Sequence, residues 1–582
     1  MTNILVADLD NNRIYEEQLD EETASTLGGR LLGLTLYSKY SKEGYKDPLV
    51  FATSPANKSN LDILVSGRTT LVGRSPLTGH AYSSNSGGKF GQSLATNGYL
   101  ALVILGESDA GVYIDIDKKQ ITSKADLSKR AITYGDSATN DCLYACLFDG
   151  TKGGVYGRGG FGKSFVDRNL RGVSYLERNI EELTKEEEVF FTEQNEYLKT
   201  KIPSKGLRSF QDQFFAAYIF GLTFEKNFKK VDSRGPNPGI EKLIEQLEVE
   251  NSTRQYYDIS DYVQVASSGE VEITDESGTL RTVKGPHNQS AAILGPNLGV
   301  YNLNLIYSLY NLCNAGVDTL SFGTLVGGVM DMATQGDLTT KQTDGIDCSF
   351  NEFDSARPEY DPSEDNFKVA VKLLRKITDP EDQSNFTKAL RKGVTKFTKE
   401  YGHPEYAMQM KGLSFSAYNV VGHQELALLF ATSSRGPDHF RGGGLMDMQG
   451  NTTAEKVYNL ERNGIVCDAL GIDRFTRITN NAGLIRKFGE LYGISLDEQQ
   501  FDTLARKTMV LERMLLLETA DVKDIDTLPK RILKRMEEKE DLESGQNFKQ
   551  RFEKNLEEYY ALMGFDKQGV PTRETLIGLG IE

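Results

Sequence analysis

Residues 157–164 read GRGGFGKS, a spacing that satisfies two phosphate-binding patterns at once. One is G-x-x-x-x-G-K-[ST], a P-loop; the other is G-x-G-x-x-G, a dinucleotide fingerprint. Both chemistries need backbone N–H groups aimed at phosphate oxygens from a loop between a buried strand and a helix. The preceding residues, DGTKGGVY, are polar and glycine-rich rather than a run of β-branched residues, and no acidic ribose partner follows. A second segment, residues 75–91, reads SPLTGHAYSSNSGGKFG. Small residues at this density let backbone approach a ligand closely, and Asn-Ser-Gly-Gly offers both carbonyl and N–H groups. A run of tight turns linking strands would use the same residues.

Other reactive side chains are sparse. Five cysteines (Cys142, Cys146, Cys313, Cys348 and Cys467) in 582 residues make no disulfide framework and read as reduced thiols, so a cytoplasmic location is expected. The N-terminus, MTNILVADLD, lacks the basic and apolar regions of a secretory signal. The longest apolar run, residues 99–106, is strand-sized, far short of a membrane span. A formal net charge of −16 argues against nucleic acid, which wants basic surface to neutralise phosphates. The expected partner is therefore a small-molecule substrate, with neither nucleic acid nor membrane.

Rigid elements must hold such loops in place. The first 180 residues are glycine-rich and strand-like, with β-type runs at 4–9, 61–65, 99–105 and 112–116. From about residue 177 the texture changes to charged, helix-favouring segments such as 185–199 and 240–250. Residues 253–285 return briefly to strand character through the alternating run 262–273, and the remainder reads as helices, including 530–540 and 548–563. Charge-dense residues 535–555 suit a solvated helix face. With 38% hydrophobic and 26% charged residues the composition is that of a globular protein, too long for one core. The expected fold class is α+β: a β-rich N-terminal domain at 1–180, then two mainly α-helical domains at 181–400 and 401–582.

Together the two glycine segments resemble the pterin-binding N-terminal domain of aldehyde:ferredoxin oxidoreductases. The resemblance continues in family order through GPNLG (295–299), GVDTLSFG (316–323), YGHPE (401–405), ATSSRG (431–436), NAGL (481–484), DTLPKR (526–531) and YYALMGFDKQGVP (559–571). It covers essentially the whole chain and is weakest at 185–280. It implies a deep site between three domains, where two pyranopterin dithiolenes hold one tungsten or molybdenum that takes no ligand from protein. A magnesium ion bridging the pterin phosphates would bind the Asn85 side chain and a backbone carbonyl near Val155. Arg68 matches a family arginine set against the cofactor, where its donor fork suits phosphate. Gly87, Gly88 and Gly157 would give close backbone approach. Asp318 and Leu484 lie in the two D-x-x-G-L-type segments that grip the pterin rings.

The departures from the family pattern are specific. The C-x-x-C-x-x-x-C run expected before GPNLG is missing, because no cysteine lies between Cys146 and Cys313, and the fourth position is Ile485. Cys142 and Cys146 belong to a different stretch from the others, so no 4Fe–4S cluster is expected. A family glutamate falls on Gln289, whose amide cannot exchange a proton as a carboxylate does. His287 stands two residues before it. The family's active-site histidine falls on Leu426, with His423 three residues earlier and, on a helix, nearly on the same face. His287 and His423 are therefore a candidate replacement acid/base pair; a capping role for His423 is the plainer alternative. The aspartates opening the two pterin-gripping segments become Cys313, which otherwise reads as a buried inert thiol, and Asn480. A phosphate-site arginine becomes Lys152, which keeps the charge but loses the fork.

The expected function is two-electron redox chemistry on an aldehyde- or carboxylate-type substrate. Its electrons would leave through an iron–sulfur subunit or a direct redox partner, and assembly with a homologous catalytic subunit or with further copies of the chain is left open. The alternatives are a non-catalytic structural or cofactor-carrying subunit of a larger oxidoreductase complex, and, on GRGGFGKS alone, a nucleotide-binding P-loop.

Overall fold

A computed structural model describes residues 3–58, 68–150, 154–177, 183–201, 223–229, 238–252, 270–274, 279–438, 450–472, 482–523, 525–540 and 545–581. Two six-stranded mixed sheets build the N-terminal region. The first runs in the order β2-β1-β6-β3-β4-β5, from β1 (Asn3–Asp8), β2 (Arg13–Gln18), β3 (Leu49–Ala52), β4 (Thr69–Arg74), β5 (Ala81–Ser86) and β6 (Tyr99–Leu105). Sequence YLALVIL makes β6 the buried centre: every one of its residues is covered, and β1 pairs with it in parallel while β3 pairs antiparallel. An apolar run without alternation is what a strand covered on both faces requires.

Strand periodicity then divides the side chains between two layers. Ile4, Val6, Val50, Val72 and Val103 face helix α1 (Gly29–Lys42) through Leu32 and Leu36. Leu5, Phe51, Leu71, Leu102 and Ile104 face the other way, into the largest core. That core also takes Ile114, Ile132, Leu147 and Val173 from the second sheet, ordered β11-β10-β9-β12-β7-β8. Its strands are β7 (Val112–Asp115), β8 (Gln120–Thr122), β9 (Arg130–Tyr134), β10 (Leu147–Asp149), β11 (Val155–Tyr156) and β12 (Leu170–Tyr175). Phe51 sits among Phe90, Tyr156 and Phe165 with edge-on ring contacts, joining the sheets to helices α2 (Phe90–Thr96) and α3 (Phe161–Asp167).

The rest is mostly helical. The helices that bear on the site are α4 (Asn288–Leu294), α5 (Thr319–Gln335), α6 (Gln424–Thr432), α7 (Thr453–Leu470), α8 (Ala482–Leu491), α9 (Glu498–Leu517), α10 (Lys530–Glu537) and α11 (Phe548–Met563). Boundaries follow local chemistry. Thr452 and Asn547 open α7 and α11 with reciprocal capping boxes, and left-handed Gly471 and Gly564 close them. The helix expected over 530–540 stops at Glu537, and Glu540 instead bridges to Asn547. The strand expected over 61–65 and most of the run 262–273 lie outside the described residues; Glu270–Thr274 pairs with Leu280–Lys284 as a hairpin. No described helix is long and apolar enough to cross a membrane.

Candidate functional site

Asn85 lies on β5, the edge strand of the first sheet, opposite Thr70. Its neighbour two residues back, Ser83, shares its face. Both reach into the helical region: Asn85 Nδ2 donates to Asp468 Oδ1 on α7 (2.9 Å), and Ser83 Oγ donates to Glu512 Oε1 on α9 (3.3 Å). Arg30, the second residue of α1, serves both acids. Its Nη2 is 2.7 Å from Asp468 Oδ2 and its Nη1 is 3.7 Å from Glu512 Oε2, with all three side chains buried. Asn57 holds the segment beside it by donating to the Arg68 carbonyl (2.7 Å).

The glycines after β5 have two different reasons. Gly88 has φ +110°, and a Cβ there would stand 2.2 Å from Asp149 Oδ2. Asp149 is buried, accepts from the backbone of Lys89 (2.9 Å) and Phe90 (3.2 Å), and takes the Tyr175 hydroxyl proton bond as well. Gly88 is thus required by packing on a protein carboxylate, whatever its backbone offers a ligand. Gly87 offers its carbonyl to Gly154, where a Cβ would come within 2.0 Å of that oxygen. Strand β11 consequently lies against β5, bringing Val155 beside Asn85's strand, with the Val155 side chain 40% exposed. Gly157 differs: the nearest atom to a Cβ there is Val155 Cγ1 at 3.9 Å, so its flank is open.

Arg158 ties this corner to the helices. Its Nη2 donates to Ser414 Oγ (2.8 Å), its Nη1 reaches Ser416 Oγ (3.4 Å), and its Nε stands 3.6 Å from Asp318 Oδ2. Asp318 caps α5 by accepting from the backbone of Leu320 and Ser321 and from the Ser321 hydroxyl. The same corner overturns the expectation that Cys142 and Cys146 lie apart from Cys313. Ala145 bridges Val317, and Cys146 N donates to the Gly316 carbonyl (2.7 Å), so the two segments run side by side. Burial pushes the Cys142 thiol up to about 12 and the Cys146 and Cys313 thiols well above their usual range. Such thiols are inert, and among the described residues no group of three or more His, Cys, Asp or Glu could hold a metal ion.

The candidate acid/base residues stand at helix starts. His287 is the N-cap of α4, its Nδ1 3.4 Å from Gln289 N, which also donates to Asn288 Oδ1 at 2.8 Å. Burial pulls its pKa down to about 4. An imidazole titration by NMR is expected to centre near pH 4, so that His287 stays neutral across the physiological range; a midpoint at the usual histidine value would contradict the burial argument. Gln289 is buried on α4, and Asn288 beside it lies 3.4 Å from the Tyr418 hydroxyl. His423 precedes α6 with non-helical torsions (φ −121°, ψ 84°), so the same-face argument from a helical turn does not hold; it occupies the cap position without a side-chain capping bond. Leu426 is buried in the first turn of α6. Leu484 and Ile485, on α8, are buried in an apolar cluster with Phe488, Leu470 and Phe501. Lys152 and Asn480 lie outside the described residues.

The residues present fit the magnesium–pterin group that the resemblance implies. With Nδ2 committed to Asp468, the Asn85 amide has one orientation, and its Oδ1 accepts no hydrogen bond among the described residues. Oxygen is the donor a hard cation takes, and Gly157 leaves space alongside. Sequence reasoning missed Arg158, although it sits inside GRGGFGKS, and it missed Arg30, Asp149 and Asp468. Two local signals were present: Gly28-Gly29 before Arg30, where a Cβ on Gly29 would lie 2.2 Å from the Asp468 carbonyl oxygen, and Asp468 itself, which opens DALGI, a D-x-x-G-L-type stretch.

Comparison with known proteins matches residues 4–128 to "Aldehyde ferredoxin oxidoreductase, N-terminal domain" and residues 264–581 to "Aldehyde ferredoxin oxidoreductase, domains 2 & 3". The tungsten-containing aldehyde ferredoxin oxidoreductase of Pyrococcus furiosus is 25% identical over 628 aligned positions, covering 98% of this chain and 97% of that protein. The aliphatic sulfonate oxidoreductase, WOR-like subunit, of the same organism is 20% identical, covering 99% and 96%. Among solved structures, the active-site complex BamBC of benzoyl coenzyme A reductase shares the fold, with a TM-score of 0.77 at 17% identity over 100% of this chain and 97% of that one. With both the sheet-built N-terminal region and the helical remainder matched, the chain belongs to the aldehyde ferredoxin oxidoreductase family and is an oxidoreductase of that type.

Proposed function

We propose that the chain binds a tungsten or molybdenum bis-pyranopterin with a bridging magnesium ion, holds no 4Fe–4S cluster of its own, and oxidises or reduces an aldehyde- or carboxylate-type substrate. The observation that carries this reading is Asn85: a side chain whose amide nitrogen is locked to a buried acid and whose oxygen is left to accept. Bound there, the metal–pterin group supplies a two-electron couple. The chain supplies the rest. Asn85 and a carbonyl near Val155 hold the cation, Arg68 faces phosphate, and the open flank of Gly157 admits the pterin. Arg158 closes the corner by gripping Ser414 and Asp318 across the two regions. His287, held neutral by burial, is not a ready proton source at neutral pH.

The missing cluster rests on the cysteine pattern and on Ile485, which is buried among aromatic and aliphatic side chains where a thiolate ligand would need a polar or metal-lined setting. Electrons then leave through an iron–sulfur subunit or a direct redox partner. Two relatives suit that arrangement by their descriptions, one being a WOR-like subunit and the other part of a complex. The three-domain division at 1–180, 181–400 and 401–582 is proposed with it.

The test is elemental analysis of native protein purified anaerobically, with pterin fluorescence after denaturation. One tungsten or molybdenum per chain, pterin and no stoichiometric iron are expected. Less than half that metal content from a host competent in cofactor synthesis, or four irons per chain, would refute the corresponding part.

A further inference from the structure

We propose that a cleft beside the hairpin residues 409–414 is a second ligand site, an effector site for a small organic molecule bearing a carboxylate or phosphate. The cleft has a volume of about 500 Å³, within the usual range for a small-molecule site. It opens where three distant stretches meet: His80 just before β5, residues 395–412, and residues 519–530 leading into α10. Met410, Ile525 and Leu528 supply buried apolar wall. None of its lining residues belongs to the corner built from Asn85, Gly157 and Arg158.

The donors select an anion. Lys411 and Gly412 form the two-residue turn of the hairpin, with φ of +51° and +78°. Asparagine and glycine suit such a turn, and a lysine there costs conformational energy. What the lysine brings is reach. Its side chain is only 3% exposed, and Nζ meets Asp526 Oδ1 at 2.8 Å and the Ala431 carbonyl. An ammonium has three hydrogens, so one is left without an acceptor among the described residues, at the lining of the cleft. The acid that balances Lys411 already serves a second cation, Arg513. Gln409 adds a further donor: its Oε1 accepts from Gly412 N (2.9 Å), which leaves Nε2 with no described acceptor. The exposed Lys530 ammonium makes no ion pair among the described residues. The two acids of the lining are exposed and already engaged, Glu405 with His403 (3.2 Å) and Asp521 with the Lys523 backbone (3.0 Å). Burial, Arg74 and Lys411 push the His80 pKa down, so the imidazole is neutral and the charged donors are the lysines.

The cleft also touches both elements that hold the Arg158 corner. Gln409 is the cross-strand partner of Ser414, whose hydroxyl meets Arg158 (2.8 Å) and Ser321 (3.0 Å). His80 directly precedes β5, the strand of Asn85. An anion shared by Lys411 and Gln409 stiffens one end of the hairpin and so fixes Ser414 at the other.

The test titrates holoprotein with succinate and with glycerol 3-phosphate, using sodium chloride at matched ionic strength as the control. Tm and amide hydrogen exchange are read. At least one probe is expected to raise Tm saturably at millimolar concentration, and whichever does so assigns carboxylate or phosphate. Protection is expected at residues 404–412 and 519–530 and should extend to 413–416. Gln409→Glu keeps the acceptor for Gly412 N but sets a carboxylate where the donor was, and should weaken binding at least about tenfold. Lys530→Glu should weaken it less, as an exposed charge does. Lys411→Met should abolish binding; because it also takes a partner from Asp526, Gln409→Glu decides the matter if that variant fails to fold. No saturable shift with either probe, or a shift unchanged in Gln409→Glu, would overturn the site. Binding with protection confined to 404–412 and 519–530 would overturn the effector role. Metal and pterin content, measured on the same samples, keeps failure here separate from failure of the cofactor reading.

Discussion

Replacing Arg30 with methionine is expected to lower the unfolding free energy by about 3–5 kcal/mol, the usual cost of removing one partner from a buried ion pair. Asp468 and Glu512, both buried, would each lose the guanidinium that Arg30 sets against them. The sign of the pH effect identifies the cause. In the parent, Arg30 is held charged at every working pH, its pKa raised by Asp468 and Glu512 against the opposing effect of burial. In the variant the two acids lose that positive charge, which favours their protonated forms. The deficit is therefore expected to shrink as pH falls and the acids take up protons. Urea unfolding of both proteins across the pH range checks this. A deficit that does not change with pH would show that lost packing of the arginine stem, and not charge, is responsible.

The second large effect is expected at Asp526, where substitution by alanine should also cost about 3–5 kcal/mol. This acid sits at the junction of α9, α10 and the hairpin residues 409–414. Arg513 Nη1 donates to its Oδ1 (3.0 Å), Lys411 Nζ lies 2.8 Å from the same oxygen, and the Tyr560 hydroxyl donates to Oδ2 (2.8 Å). Burial raises its pKa, and the Arg513 and Lys411 charges more than offset that, holding the carboxyl below the usual range. The linkage runs opposite to the previous case. A depressed folded pKa gives stability that is complete above the unfolded carboxylate value and is lost as pH falls through the folded one. Parent protein should therefore lose stability on acidification below about pH 4, and Asp526→Asn should lose less over that interval. Parallel acid limbs in the two proteins would rule out Asp526 as a contributor.

What was legible in the sequence was local. The seven-residue run of β6 and the helices at 185–201, 238–252 and 548–563 announced themselves by hydrophobic pattern, and capping residues set several ends. The β-rich beginning and helical remainder followed. Asn85 could be singled out because it sits within a dense turn-forming segment matched to a family motif. Its anchor could not: Arg30 and Asp468 are separated by 438 positions, and one charged residue on a helix looks like any other until the partner helix is placed beside it. Gly88 could be picked out as a place of close approach, but glycine does not say whether the neighbour is a ligand or a protein group, and Asp149 is such a neighbour. The adjacency of Cys146 and Cys313 likewise arises from a bridge between distant segments. His423 failed by a single step: the argument assumed a helical turn where the chain is still entering α6.

The tie between β5 and α7 has a consequence for biogenesis. A growing chain exposes Asn85 long before Asp468 leaves the ribosome, and domains generally fold in the order of synthesis. The bond between β5 and α7 therefore closes only once the chain has been made past residue 468, well after the strands of the amino-terminal sheets have been synthesised.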